Sequence, residues 1–120
     1  MKKVLVVDDS ETVRLEVGRA LEAAGYGIVE AGDGVEGLEK AAQEQLSMVL
    51  LDVNMPRMGG LEMLEELRAG QATRDVPVLV LTTEVQESMI ARAKKAGASG
   101  WIYKPPNMEL LVKTVNRLAR

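Results

Sequence analysis

The sequence predicts an α/β fold, a doubly wound three-layer sandwich in which five strand and helix pairs build a five-stranded parallel sheet, with residues 1–120 as one domain. Three observations carry this. Short runs that are apolar at every position recur along the chain and end in a polar residue, as expected for strands covered on both faces. Between them, apolar residues recur at helical spacing. Glycines and capping pairs fall where those helices should start and stop.

Taken in order, Val4-Leu5-Val6-Val7 is the first run and ends in Asp8. The first helix follows, with Val13, Val17, Ala20, Leu21 and Ala24 at helical spacing and Gly25 closing it. A weaker second strand is expected near residues 26–31. Asp33 and Glu36 have capping-box spacing at the head of a second helix bearing Val35, Leu38 and Ala42. Met48-Val49-Leu50-Leu51, ending in Asp52, is the third strand, and Leu61, Leu64 and Leu67 mark a third helix that Gly70 should stop. The fourth strand, Val78-Leu79-Val80-Leu81, ends in Thr82; Thr83 and Gln86 have capping-box spacing at the head of a fourth helix that ends at Gly97. A weaker fifth strand near residues 99–103 leads to Lys104-Pro105 and a last helix over about residues 107–118, carrying Leu110, Leu111, Val115 and Leu118. Regular βα alternation with right-handed crossovers makes the sheet doubly wound.

At 120 residues the chain buries a core without disulfides or structural metal. No apolar stretch approaches the roughly 20 residues of a membrane span. Asp8 and Asp9 arrive too early for a secretory leader, so a cytoplasmic setting with no membrane association is expected. With Cys 0 and His 0, Ser/His and Cys/His catalysis and most zinc chemistry are excluded. The net charge of −3 hides an asymmetry: residues 85–120 hold 7 Lys/Arg against 2 Asp/Glu, whereas residues 1–84 hold 8 against 16. Arg92, Lys94, Lys95, Lys113 and Arg117 sit at the spacing of solvated helix faces, and with Phe 0, Trp 1 and Tyr 2 there is no stacking platform, so direct nucleic-acid binding is not expected.

Ligands of open α/β sheets bind beyond the carboxyl ends of the strands. There the first strand delivers Asp8 and Asp9, the third Asp52, the fourth Thr82 and the fifth Lys104. Singly, each has a structural reading: helix capping for Asp8 and Asp9 beside Ser10, a turn for Asp52, a solvated strand end for Lys104. Jointly they form an acidic cluster, and crowded carboxylates recruit a hard divalent cation, best Mg²⁺. The first turn, Asp8-Asp9-Ser10-Glu11, is acidic and has no glycine, which argues against a preformed phosphate group such as a nucleotide or flavin phosphate. A carboxylate nucleophile beside Mg²⁺ suits formation of an acyl phosphate.

The set Asp8, Asp9, Asp52, Thr82 and Lys104 resembles the receiver domains of bacterial two-component response regulators, the CheY-like proteins of flavodoxin-like fold. The resemblance spans the whole chain, including the loop Asp52-Val53-Asn54-Met55-Pro56-Arg57-Met58-Gly59-Gly60, the turn Leu81-Thr82-Thr83-Glu84, Ala96-Gly97-Ala98, and Lys104-Pro105. It implies that Asp52 is the phospho-acceptor, that Asp8, Asp9, Asp52 and the backbone carbonyl of Asn54 hold Mg²⁺, and that Lys104 contacts the phosphoryl group. Thr82 would be the switch hydroxyl and Trp101 the aromatic that turns inward after it. Asn54, Thr83 and Glu84 would tune the lifetime of the acyl phosphate, and the Lys104–Pro105 bond is expected to be cis.

Also by resemblance, the phosphodonor is a sensor histidine kinase or phosphotransfer protein docking near Val13, Arg14 and Val17. A downstream effector would read the surface of the fourth helix, fifth strand and fifth helix, whose basic bias suits an acidic target. A monomer or weak dimer is expected, not an enzyme acting on other substrates; brevity and the Trp101 position lean toward a stand-alone, chemotaxis-like regulator. Pro106 departs from the family, which usually carries Phe there. Two other readings remain: a degenerate receiver serving as a phosphorylation-independent binding module, though no acidic or Lys position is lost, and a haloacid-dehalogenase-type phosphatase, whose Asp-x-Asp after the first strand is not met by Asp8-Asp9-Ser10.

Overall fold

The computed structural model describes residues 1–53, 55, 58–83 and 87–120. Strands and helices alternate as β1 (Lys3–Val7), α1 (Glu11–Ala23), β2 (Gly27–Ala31), α2 (Gly34–Gln43), β3 (Met48–Asp52), α3 (Gly60–Ala69), β4 (Val78–Thr82), α4 (Glu87–Ala96), β5 (Gly100–Tyr103) and α5 (Met108–Leu118). All strand pairs are parallel, in the order β2-β1-β3-β4-β5. The chain steps outward from β1 to β2 and then crosses to β3 on the other side of β1. The carboxyl ends of β1 and β3 therefore meet at the point where strand order reverses, which is where open α/β sheets bind ligands.

Two cores flank the sheet, and the period of two along each strand sorts residues between them. Leu5, Val7, Val49, Leu51, Val78 and Val80 pack with Leu61, Met63, Leu64, Leu67 and Ala93 from α3 and α4. Val4, Val6, Met48, Leu50, Leu79 and Leu81 pack with Val17, Leu21, Leu111 and Val115 from α1 and α5. Because both faces are covered, the three central strands tolerate no polar residue until their ends, where Asp8, Asp52 and Thr82 appear.

The helix boundaries follow the sequence, with informative differences. Asp33 accepts the Glu36 N–H at 2.9 Å, but Glu36 accepts the N–H of Gly32 at 2.6 Å, so the reciprocal bond lies one residue before the cap. The Thr83/Gln86 pair lies partly outside the described residues. Gly97 closes α4 with φ of 101°, a left-handed conformation that favours glycine. Gly70 ends α3 in extended backbone, at φ of −79°, so its stop signal works without that conformation. Leu110 of α5 is 52% exposed, and Ala41, not Ala42, is the buried alanine of α2. Among the described residues, no helix is long and apolar enough to cross a membrane.

Candidate functional site

β1 and β3 lie side by side, with Val7 opposite Leu51, so the residues that follow them, Asp8 and Asp52, emerge together. Asp8 is completely buried, and Asp52 is 4% exposed. Lys104 reaches across from the end of β5. Its Nζ lies 2.9 Å from Asp8 Oδ2 and 3.2 Å from Asp52 Oδ1. Its own backbone is fixed by an N–H bond to the Thr82 carbonyl at 2.9 Å, and the Lys104–Pro105 peptide is cis, as expected. Burial alone would lower the pKa of the Lys104 ammonium. The hydrogen bond to Asp8 and the charges of Asp52 and Asp8 outweigh that cost and raise it above the ordinary lysine value.

The turn after β1 is held from several sides. Helix capping of α1 falls to Ser10, whose Oγ accepts the Val13 N–H at 3.2 Å. Asp8 instead accepts the Ser10 N–H at 2.9 Å on Oδ1, while its Oδ2 faces Lys104. The exposed Asp9 completes the cluster: carboxylate oxygens of Asp8, Asp9 and Asp52 all lie within 4.8 Å of one another. Oxygen-only, charged and only partly neutralised by one ammonium, this donor set fits a hard divalent cation of the Mg²⁺ class. Asp8, Asp9 and Asp52 would hold it. The fourth expected ligand, the Asn54 carbonyl, lies outside the described residues, as does Glu84.

Two further residues support the site and were not singled out for this from sequence. Arg14 donates from Nη1 to the Asp8 carbonyl at 2.6 Å and pairs through Nε with Glu30 at 3.1 Å, tying the acidic turn to β2. Nothing in its spacing marks a contact with a residue 16 positions away. Gly60 starts α3 against the backbone of Asp52; a Cβ there would collide with the Asp52 carbonyl oxygen. The Gly59-Gly60 pair in the sequence was the available signal for that close approach.

Thr82 is buried at the end of β4, and its register partner on β5 is Tyr103. Trp101 pairs with Val80 two residues earlier and so packs half-buried on the same sheet face as Thr82, next to α4. Residues 4–116 match the family model described as the response regulator receiver domain.

The chain belongs to that family.

The receiver domain is 34% identical over 116 residues to protein PilH of Pseudomonas aeruginosa, covering 97% of this chain and 96% of that protein. It is 37% identical over 111 residues to chemotaxis protein CheY1 of Helicobacter pylori, covering 91% and 90%. Among solved structures, chemotaxis protein CheY4 of Vibrio cholerae superposes with a TM-score of 0.94 at 42% identity, with 98% of each chain covered. A response regulator role follows, and the flavodoxin-like arrangement is that of the CheY-like proteins. Receiver domains of this family generally bind Mg²⁺, and they interact with kinases and effectors.

Other expectations for the receiver domain are corrected. Of the residues expected at a donor-docking surface, Val17 is fully buried in the α1/α5 core and Arg14 is engaged by Asp8 and Glu30. Val13 instead lines an apolar groove with Glu16, Thr83, Lys104, Pro105 and Pro106 beside the site. Thr83 is exposed at its rim, so its side chain borders the approach to Lys104. Tyr103 is 44% exposed, and Met63 is fully buried as core filler.

Proposed function

We propose that this receiver domain accepts a phosphoryl group on Asp52 from the phosphohistidine of a sensor histidine kinase or phosphotransfer protein, in a Mg²⁺-dependent reaction. The single observation that carries this reading is the Lys104 ammonium held between the Asp8 and Asp52 carboxylates, with Asp9 beside them. An Asp52 carboxylate oxygen attacks the donor phosphorus; the O–P bond forms, the donor N–P bond breaks, and the imidazole takes a proton from solvent. Lys104 turns from an ion-pair partner into a ligand for a phosphoryl oxygen, neutralising charge there. Bound Mg²⁺ would supply further positive charge for the phosphoryl oxygens. Hydrolysis reverses the state: water attacks phosphorus, inorganic phosphate leaves and the carboxylate returns, at a rate tuned by Asn54, Thr83 and Glu84. The domain thus catalyses only its own phosphorylation and dephosphorylation.

The readout is a local charge change that biases a two-state element. Thr82 moves its hydroxyl to a phosphoryl oxygen, and Trp101 turns into the space vacated on the same sheet face. The surface of α4, β5 and α5 then changes its preference for an effector protein in the cytoplasm, the domain acting as a monomer or weak dimer. Similarity to proteins named for chemotaxis supports a stand-alone regulator of that kind. The test is the fluorescence of Trp101, the chain's single tryptophan, during titration with Mg²⁺ and then beryllofluoride, a phosphoryl mimic. A Mg²⁺-dependent response that Asp52→Asn abolishes is expected. If neither ligand changes the emission and acetyl phosphate leaves no phosphorylated species, the chain is instead a phosphorylation-independent binding module.

A further inference from the structure

Lys94 has no ion-pair partner among the described residues, yet its side chain is directed at a specific target: Nζ lies 5.1 Å from the centroid of the Trp101 ring. This distance falls within the range of a cation–π contact. The local chain path produces it. Lys94 sits in the last turn of α4, where the Gly97 N–H bonds to the Lys94 carbonyl at 3.0 Å and the Ala98 N–H to the Ala93 carbonyl at 2.9 Å. That double bond pattern around a left-handed glycine reverses the chain sharply, so β5 returns beneath the helix end it has just left. The reversal is pinned by Arg68 of α3, which donates from Nε and Nη2 to the Gly97 carbonyl at 3.1 and 2.8 Å. Trp101, on the edge strand, is therefore covered on its outer side by a helix end held in a fixed frame.

We infer that Lys94 is a positioning residue for Trp101, its ammonium holding the indole in the resting orientation and so setting how readily the receiver domain switches. This rests on the reading that Trp101 moves when Asp52 is phosphorylated. Turning the indole toward the space behind Thr82 takes its face away from Lys94, and the contact is lost. The resting state alone gains from the contact, and a ligand shifts a two-state equilibrium only against such a difference. Lys94 is at the surface and touches neither the carboxylates nor Lys104, so its removal leaves the phosphorylation chemistry in place.

The experiment compares wild type, Lys94→Met and Lys94→Arg. Lys94→Met keeps the aliphatic stem without the charge, and Lys94→Arg keeps the charge. Beryllofluoride titrations at saturating Mg²⁺, read by Trp101 emission, should show the midpoint lowered about two- to fivefold in Lys94→Met, the range an exposed cation–π contact supports, and restored in Lys94→Arg. In the resting wild type, the Lys94 ε-methylene protons should be shifted upfield by the ring current, and Trp101→Leu should return them to ordinary values. A responsive wild type with an unchanged midpoint in Lys94→Met, or unshifted ε protons, overturns the role of Lys94 alone. A wild type that never responds to beryllofluoride overturns the switch reading beneath it.

Discussion

The helices α3 and α4 cover the same face of the sheet, yet they are attached very differently. α3 drives Leu61, Met63, Leu64 and Leu67 into the core and starts against the backbone of Asp52. α4 buries only Ala93 completely, leaving the long side chains of Arg92, Lys94 and Lys95 outside. One helix is thus part of the frame that fixes the Asp52 carboxylate. Its neighbour is attached by one fully covered alanine, half-buried Met89 and the Arg68 bonds to the Gly97 carbonyl at its end, so far less buried side-chain surface holds it to the sheet. Stability is unevenly spread in this way wherever a fold must both hold a site still and transmit its state.

The contrast is broken or sharpened by substitutions on either side. The largest effect is expected from Leu64→Ala, which removes a fully buried α3 side chain and should cost about 2–5 kcal/mol in denaturant unfolding. Met89→Ala in α4 should cost only about 1 kcal/mol; equal losses would remove the distinction between the two helices. Gly60→Ala forces a methyl group against the Asp52 carbonyl and should destabilise by about 1–3 kcal/mol. It should also weaken the beryllofluoride response, since that strain falls on the Asp52 peptide.

Mg²⁺ at about 100 times its dissociation constant should stabilise the wild type by about 2.7 kcal/mol, read as a rise in Tm. Asp9→Asn should lose most of that gain without loss of stability in metal-free buffer, because the exposed Asp9 carboxylate there adds only repulsion to its neighbours. The smallest effect belongs to the exposed side of α5. Lys113→Ala removes an exposed pair with Glu109 at 3.7 Å and should change stability by less than about 0.5 kcal/mol.

Most of the frame was legible in the sequence because its physics is local. Runs such as Met48-Val49-Leu50-Leu51, set between helical repeats and turn residues, fit strands covered on both faces, and the polar residues that end them then fall on one edge of the sheet. The convergence of Asp8, Asp52 and Lys104 followed from that rule. Contacts whose partners are close only in space were not legible: Arg14 with the Asp8 carbonyl and Glu30, Lys94 with Trp101, and Arg68 with the Gly97 carbonyl. Periodicity also misjudged single positions at helix margins. Leu110 has the spacing of a core residue, but α5 turns it outward; Val17, by contrast, closes the core beneath α1 as its spacing indicated, against the docking role that the resemblance implied.

The central claim is that Asp52 carries the phosphoryl group. Incubation with acetyl phosphate and Mg²⁺, followed by borohydride reduction and peptide mass mapping, reads this directly, because reduction converts an aspartyl phosphate to homoserine at the modified position. Homoserine at residue 52, absent without Mg²⁺ and absent in Asp52→Asn, is the predicted result. Modification at Asp8, Asp9 or another residue, or none at all in a folded wild type that binds Mg²⁺, would contradict it.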